Sequence, residues 1–434
     1  MSVAVNESSA PSLGDYADAP VLALRARVVF PVASPPIEGG VVVVENGRFA
    51  EVGRRVPPGV PDVDLGDVAL LPGLVNAHCH LEFSGRKSQL GKPGMPLHQW
   101  VRLVIAQRQT AARIGKAITA GIAESVASGV TTLADICRVV SPAYTAGDVT
   151  PRLALLQEAI GYSQARAASA TAAVNNNLAE LGPIADEAPG RVTLGVSPHA
   201  PYTASPALVR ELVSVAVERR SPVALHLAES REELQLISGG NGPFQELLEE
   251  RGMWDPWSIP RGATPMDYLR ILTKAPKALV VHGNYLDDAS LAMIGRHSGA
   301  MALVYCPRTH AYFGHPDYPL AKAMAMGARV CLGTDGLGSN PDLSLLSEMR
   351  HVARHHRAVP PEAVLRMGTL SGAEALGLEN VAGCIRPGMP ADLCAVNIPA
   401  KTTGGASGLL EGMLADERPA AGVWVGGVAV EAAV

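Results

Sequence analysis

Residues 71–84 read LPGLVNAHCHLEFS. An apolar run enters a Pro-Gly turn, crosses a short strand and ends in His78-Cys79-His80. Successive side chains on a strand point to opposite faces, so His78 and His80 share one face and Cys79 takes the other. Two imidazoles on one face at a strand's end can close on a single metal ion, and zinc, iron, copper and nickel all accept imidazole. His-x-His is common by chance, so its weight depends on partners elsewhere in the chain.

Working outward, the centre of the chain alternates strand and helix. Strands are expected at 71–80, 130–137, 152–158, 191–199, 223–229, 278–284, 301–306 and 329–335. Amphipathic or Ala-rich segments lie between them at 112–128, 165–181, 205–219 and 285–297, with further helices at 343–357 and 360–376. Apolar runs alternating with helices mark a parallel sheet, and eight units favour an α/β fold closed as a (β/α)8 TIM-type barrel. The flanks differ. From Val21 the pattern is short strands, with an Asn46-Gly47 hairpin signal, and ADLCAVNI and AGVWVGGVAVEAAV resume that style near the end. The expected organisation is a tail over 1–20, a β-sandwich built from 21–68 and 381–434, and a barrel over 69–380.

Composition narrows the class. The chain of 434 residues is 47% hydrophobic and 18% charged, enough apolar material for a large core. A net charge of −5 without a basic block gives no nucleic-acid surface. The basic run from Arg350 to Arg357 reads as a solvated helix face. Six cysteines without CxxC pairs suit reduced thiols in a cytoplasmic enzyme, and the first 20 residues lack a signal-peptide pattern. No apolar run approaches a membrane span. Oligomeric state is left open, a homo-oligomer included.

Residues able to do chemistry gather at the carboxyl ends of the expected strands, the face where such barrels carry active sites. They are His78 and His80 on the first, His199 on the fourth, His226 and Glu229 on the fifth, His282 on the sixth and Asp335 on the eighth. No GxSxG elbow is present, and GTDGLGSN (333–340) is neither a P-loop nor a dinucleotide loop.

The motifs PGLVNAHCH, HLAE, VHGN and GTDGLGSN together resemble the amidohydrolase superfamily, in its branch of mononuclear nucleoside and nucleobase deaminases. The resemblance runs from Val21 to Val434. It implies that His78, His80, His226 and Asp335 hold one divalent metal ion, zinc or alternatively iron(II), and that Glu229, His282 and Asp335 are catalytic. Water activated by the ion would attack a C–NH2 amidine carbon while Glu229 protonates the ring nitrogen, and ammonia would leave. Binuclear relatives bridge two metals with a lysine on the fourth strand; here no lysine occurs between Lys116 and Lys274, which favours one ion.

HLEFS further resembles the opening motif of deaminases acting on aminofutalosine, methylthioadenosine and adenosylhomocysteine. That implies a small-molecule substrate of the 6-aminopurine nucleoside type. Glu82 is expected to accept ribose hydroxyls, Phe83 and Trp100 to form an apolar wall and His199 to face the substrate. After the seventh strand the branch commonly reads CPxSN, whereas this chain has Cys306-Pro307-Arg308-Thr309-His310. Arg308 and His310 are accordingly candidate contacts for an anionic group, with salt bridges on the rim as the alternative. Ser339 and Asn340 are candidates for the pocket rim. Hydrolysis of a cyclic amide or a triazine, and a non-catalytic binding barrel, are the competing readings.

Overall fold

The computed structural model describes residues 21–107, 109–146, 151–188 and 190–430; the tail expected over 1–20 lies outside them. Eight parallel strands form one sheet in sequence order: Leu74–Cys79, Val130–Cys137, Arg152–Ala159, Val192–Pro198, Pro222–Leu227, Lys277–His282, Met301–Tyr305 and Arg329–Leu332. They are the first to eighth barrel strands below. The eighth meets the first not through a regular ladder but through a single bridge, Cys79 to Asp335. Backbone N–H groups of Thr334 and Asp335 both donate to the His78 carbonyl at 3.1 Å, and the Asn76 amide donates to Thr334 Oγ1 at 2.8 Å. This seam closes the barrel.

Helices Ala111–Ala127, Gln164–Glu187, Pro206–Arg219 and Asp288–Arg296 coat the outside, close to their expected spans. The Ser205 side chain accepts from the Leu208 N–H, and Asp287 from Ser290, capping the amino ends of the last two. After the fifth strand the chain forms three short helices, Arg231–Gly239, Pro243–Glu250 and Pro265–Leu272, which the strand–helix alternation did not reveal.

The chain ends build two further sheets. Val21–Arg25, Val41–Glu45, Arg48–Gly53 and Asp62–Asp64 form one; Val28–Val29, Ile37–Glu38, Val68–Pro72, Leu393–Asn397, Ala420–Val425 and Val428–Val430 form the other. Leu24, Val42, Phe49, Leu70, Leu393 and Trp424 fill the space between them. The hairpin at Asn46-Gly47 has both residues at positive φ, 49° and 73°, as a type I′ turn requires.

Four expectations are corrected. The strand read over 71–80 is two strands: Val68–Pro72 pairs antiparallel with Leu393–Asn397, and only Leu74–Cys79 joins the barrel. Gly73 makes the break. A Cβ there would lie 2.0 Å from Thr131 Oγ1, so only glycine lets the chain cross between sheets. The helix read over 360–376 is divided into Pro361–Met367 and Leu370–Leu376, with Gly368 packed on the Met349 side chain. Residues 381–434 also contain a helix, Gly405–Ala415, packed on Leu345–His355 and Pro361–Met367. On Leu345–His355 itself the basic run is only partly solvated: Arg350 is buried, and Tyr305 Oη lies 3.1 Å from His356 Nε2. Among the described residues no helix is long and apolar enough to cross a membrane.

Candidate active site

A cavity of about 330 Å3 opens at the carboxyl ends of the barrel strands. The first strand delivers His78 and His80 to the same side, as its two-residue period requires. The fifth strand brings His226 beside them, and the ligand atoms of these three rings all lie within 4.8 Å of one another. His80 Nε2 and His226 Nε2 are 3.3 Å apart, and Asp335 Oδ1 lies 3.6 Å from Nε2 of both His78 and His80.

Electrostatics make this arrangement incomplete without a cation. Burial, reinforced by the neighbouring His78 ring, pushes His80 down to about 3, and burial likewise holds His226 well below 6.5. These rings are neutral at pH 7. His226 Nδ1 sits 2.8 Å from the His199 carbonyl, so Nδ1 carries the proton and Nε2 presents a lone pair to the cluster. Both ring nitrogens of His78 are buried with no hydrogen-bond partner. Burial pushes the Asp335 carboxyl up, but the rings of His78, His80 and His282 outweigh it and hold it well below the usual carboxylate range. Buried lone pairs and one carboxylate converging without donors fit a divalent metal ion.

A second pair stands on the same wall. Glu229 Oε1 lies 3.4 Å from His282 Nε2. Burial, with Asp335 and Glu233 nearby, pushes the Glu229 carboxyl well above 4.5. Burial takes His282 down to about 3 despite Asp335. The backbone under the pair is strained: Ala228, His282 and Asp335 all have positive φ, 53°, 66° and 55°. Glu233 holds it in place, its two oxygens accepting from the N–H groups of Ala228 at 2.7 Å and Glu229 at 2.9 Å. Tyr318 Oη donates to the His282 carbonyl at 2.8 Å, and the Asn284 amide to the Glu229 carbonyl at 2.9 Å.

The rest of the cavity is mostly apolar. Phe83, Trp100, Val104, Ile105, Leu247 and Phe313 line it, with Glu82, Arg138, Glu158 and His199 on the polar side. Trp100 belongs to the helix Leu97–Ala106, which lies over the cavity, and its Nε1 donates to the Gly338 carbonyl at 3.2 Å. Glu82 Oε1 is 3.3 Å from Arg138 Nη1, Arg138 Nε is 3.8 Å from Glu158, and His199 Nε2 is 3.9 Å from the other Glu158 oxygen.

The structure thus brings together Glu82, Phe83, Trp100, His199, the ring cluster, Glu229, His282 and Asp335. It does not bring Arg308 to them. The Arg308 guanidinium clasps Asp342 at 2.6 and 2.9 Å and Glu348 at 2.7 Å, and the Glu348 carboxylate is fully buried. Arg308 therefore neutralises a buried acid and is not among the residues lining the cavity. His310 is similarly committed, between Asn284 Oδ1 and the Pro316 carbonyl. Ser339 and Asn340 are buried beneath the site instead of on its rim: Ser339 donates to Asp335 Oδ2 at 2.9 Å, and Asn340 to the Thr334 carbonyl and Glu348. Arg138 and Glu158 were not singled out from the sequence. Each stands at or just past the end of its strand, the second and the third, and the strand-end rule that found the histidines would have found them too.

The amidohydrolase family profile matches residues 69–430, and the chain belongs to that family. It is a hydrolase acting on carbon–nitrogen bonds, which removes the non-catalytic reading. The 5-methylthioadenosine/S-adenosylhomocysteine deaminase of Pelotomaculum thermopropionicum is 29% identical over 379 residues, covering 82% of this chain and 80% of that protein. Among solved structures, Helicobacter pylori aminofutalosine deaminase superposes with a TM-score of 0.79 at 22% identity, covering 95% of this chain and all of that one. Atrazine chlorohydrolase from Arthrobacter aurescens, complexed with zinc, gives 0.76 at 19% identity over 94% of each chain. These two likenesses are of fold.

Proposed function

We propose that this protein is a hydrolytic deaminase of an aminated heterocycle, a 6-aminopurine nucleoside derivative of the aminofutalosine, adenosylhomocysteine, methylthioadenosine or adenosine type. The observation that carries this reading is Glu229. It is a carboxyl group that burial pushes well above the usual carboxylate range, 3.4 Å from His282, on the wall of the cavity that also holds the ring cluster. A neutral acid facing a basic ring nitrogen is what removal of an amidine amine needs.

In this reading His78, His80, His226 and Asp335 hold one divalent ion, zinc or iron(II). The fourth strand ends in Ser197-Pro198, leaving no lysine to bridge a second. Such an ion supplies Lewis acidity and lowers the pKa of water toward neutrality. Asp335 accepts a proton from the attacking water. His282 orients the developing alkoxide, and Glu229 gives its proton to the ring nitrogen, making the adjacent carbon electrophilic. Glu82, held by Arg138, accepts ribose hydroxyls, while His199 fixes the polar edge and Phe83 and Trp100 exclude water from the apolar wall. Six free, buried cysteines suit a reducing compartment, and we place the enzyme in the cytoplasm.

The test is ammonia release, coupled to glutamate dehydrogenase, with chromatographic measurement of substrate loss for the chlorotriazine and the cyclic amide, whose hydrolysis frees no ammonia, and metal analysis of the same sample. The panel comprises adenosine, methylthioadenosine, adenosylhomocysteine, aminofutalosine, an aminotriazine, a chlorotriazine and a cyclic amide. Ammonia from at least one aminopurine nucleoside is expected. A metal-loaded protein that turns over only a triazine or the cyclic amide would replace this reading with the competing one.

A further inference from the structure

A second cavity, of about 740 Å3, opens beside the loop that follows Phe83. Its walls carry Arg86 and Lys87 from that loop, and Arg113 and Lys116 from the first turns of the helix Ala111–Ala127. Gln107 and Gln109, just past the helix over the catalytic cavity, complete the polar lining. Among the described residues no carboxylate lines this cavity. Among the described residues none of the four cations is in an ion pair. Arg86 is half-buried; one of its terminal nitrogens donates to Gln107 Oε1 at 2.6 Å, and its Nε is buried with no partner.

Like charges gathered without counter-charge repel one another, and a concave site with several cations concentrates anions. The cluster is not a by-product of a basic chain, because the net charge is −5. We propose that this cavity binds a short polyphosphate chain. Two guanidinium forks and two lysine point charges suit several phosphoryl groups in a row, and the amino end of a helix adds a favourable dipole. The volume exceeds what a single phosphate fills. Among the described residues no aromatic side chain lines the cavity to serve as a platform for a base, so the phosphate chain itself is what is recognised. This site stands apart from the deaminase reading and does not depend on it.

The experiment is titration calorimetry of the full-length, metal-loaded protein with inorganic tripolyphosphate, and in a second arm with ATP. Sulfate at matched ionic strength is the reference. Metal content is measured before and after, since polyphosphates chelate divalent ions. The comparison proteins are Arg113→Gln/Lys116→Gln and Lys87→Gln, whose altered side chains are exposed. Saturable binding to the wild type is expected, weakened about tenfold or more for each charge-assisted contact removed. Equal binding of tripolyphosphate and ATP identifies the chain as the ligand whether free or carried by a nucleotide. Binding of tripolyphosphate alone restricts it to the free anion. Binding no tighter than sulfate, or equal in wild type and both variants, overturns the proposal.

Discussion

Replacing Arg308 by methionine separates a structural ion pair from a substrate contact. Arg308 reaches Glu348 twice, through its backbone N–H at 2.9 Å and Nε at 2.7 Å, and clasps Asp342 with both terminal nitrogens. The Glu348 side chain has no exposure and that of Arg308 only 14%, so the pair is buried. Removing one partner of such a pair leaves an uncompensated acid and costs about 3–5 kcal/mol. With a urea m-value of about 3 kcal/mol/M, a large-domain value, the unfolding midpoint falls by about 1–1.7 M.

The deficit depends on pH in a defined direction. Burial already raises the Glu348 carboxyl above 4.5 while Arg308 pulls it back. Without Arg308 it rises further, so the folded state holds a proton that the unfolded state releases above about pH 4.5. Stability then falls as pH increases through that window, and the variant's loss is larger at pH 8 than at pH 5.5. Glu348→Gln on top of Arg308→Met removes this pH dependence. Circular dichroism in urea reads the midpoint, and steady-state kinetics read KM. A variant whose midpoint stays within about 0.3 M of wild type while KM rises tenfold would show that Arg308 serves the substrate and that the structural argument is wrong.

Glu229→Gln is expected to keep its metal and lose about 10²–10⁴-fold in turnover, the usual weight of a general acid; near-normal ammonia release would remove Glu229 from the mechanism. Asp335→Asn should lower both metal content, read by mass spectrometry, and rate, because it removes the negative charge that the carboxylate offers the ion. Retention of both would mean the eighth strand contributes no ligand. Glu233→Gln should lower kcat by about tenfold or more with KM and metal content unchanged, since it loosens only the backbone under Glu229; an equal rise in KM would point to a general loss of structure.

The first barrel strand and its histidines were legible because a two-residue period is local: nothing beyond residues 74–80 is needed to put His78 and His80 on one face. The same holds for Glu229 and His282 at strand ends. What could not be read is set by distant partners. Gly73 divides the expected strand because of Thr131, and Arg308 leaves the cavity because Glu348, 40 residues on, folds back beneath it. Glu233 looks like an ordinary helix acid, its first turn capped by Ser230, until the fold shows its oxygens on the N–H groups of Ala228 and Glu229. Arg138 and Glu158 are different: their signal, a charged residue at the carboxyl end of a barrel strand, is present and local.

The seam between the eighth and first barrel strands has a consequence for how the chain is made. On the proposed ligand set, two ligands come from one side of that junction and Asp335 from the other, stitched by Asn76 and Thr334 instead of a ladder. A nascent chain therefore displays His78 and His80 long before Asp335 leaves the ribosome, and the full set exists only after the barrel has shut. Metal uptake would then report that closure, and Asn76→Ala, which removes both the Thr334 link and the acceptor for the His78 N–H, should quicken the ion's release.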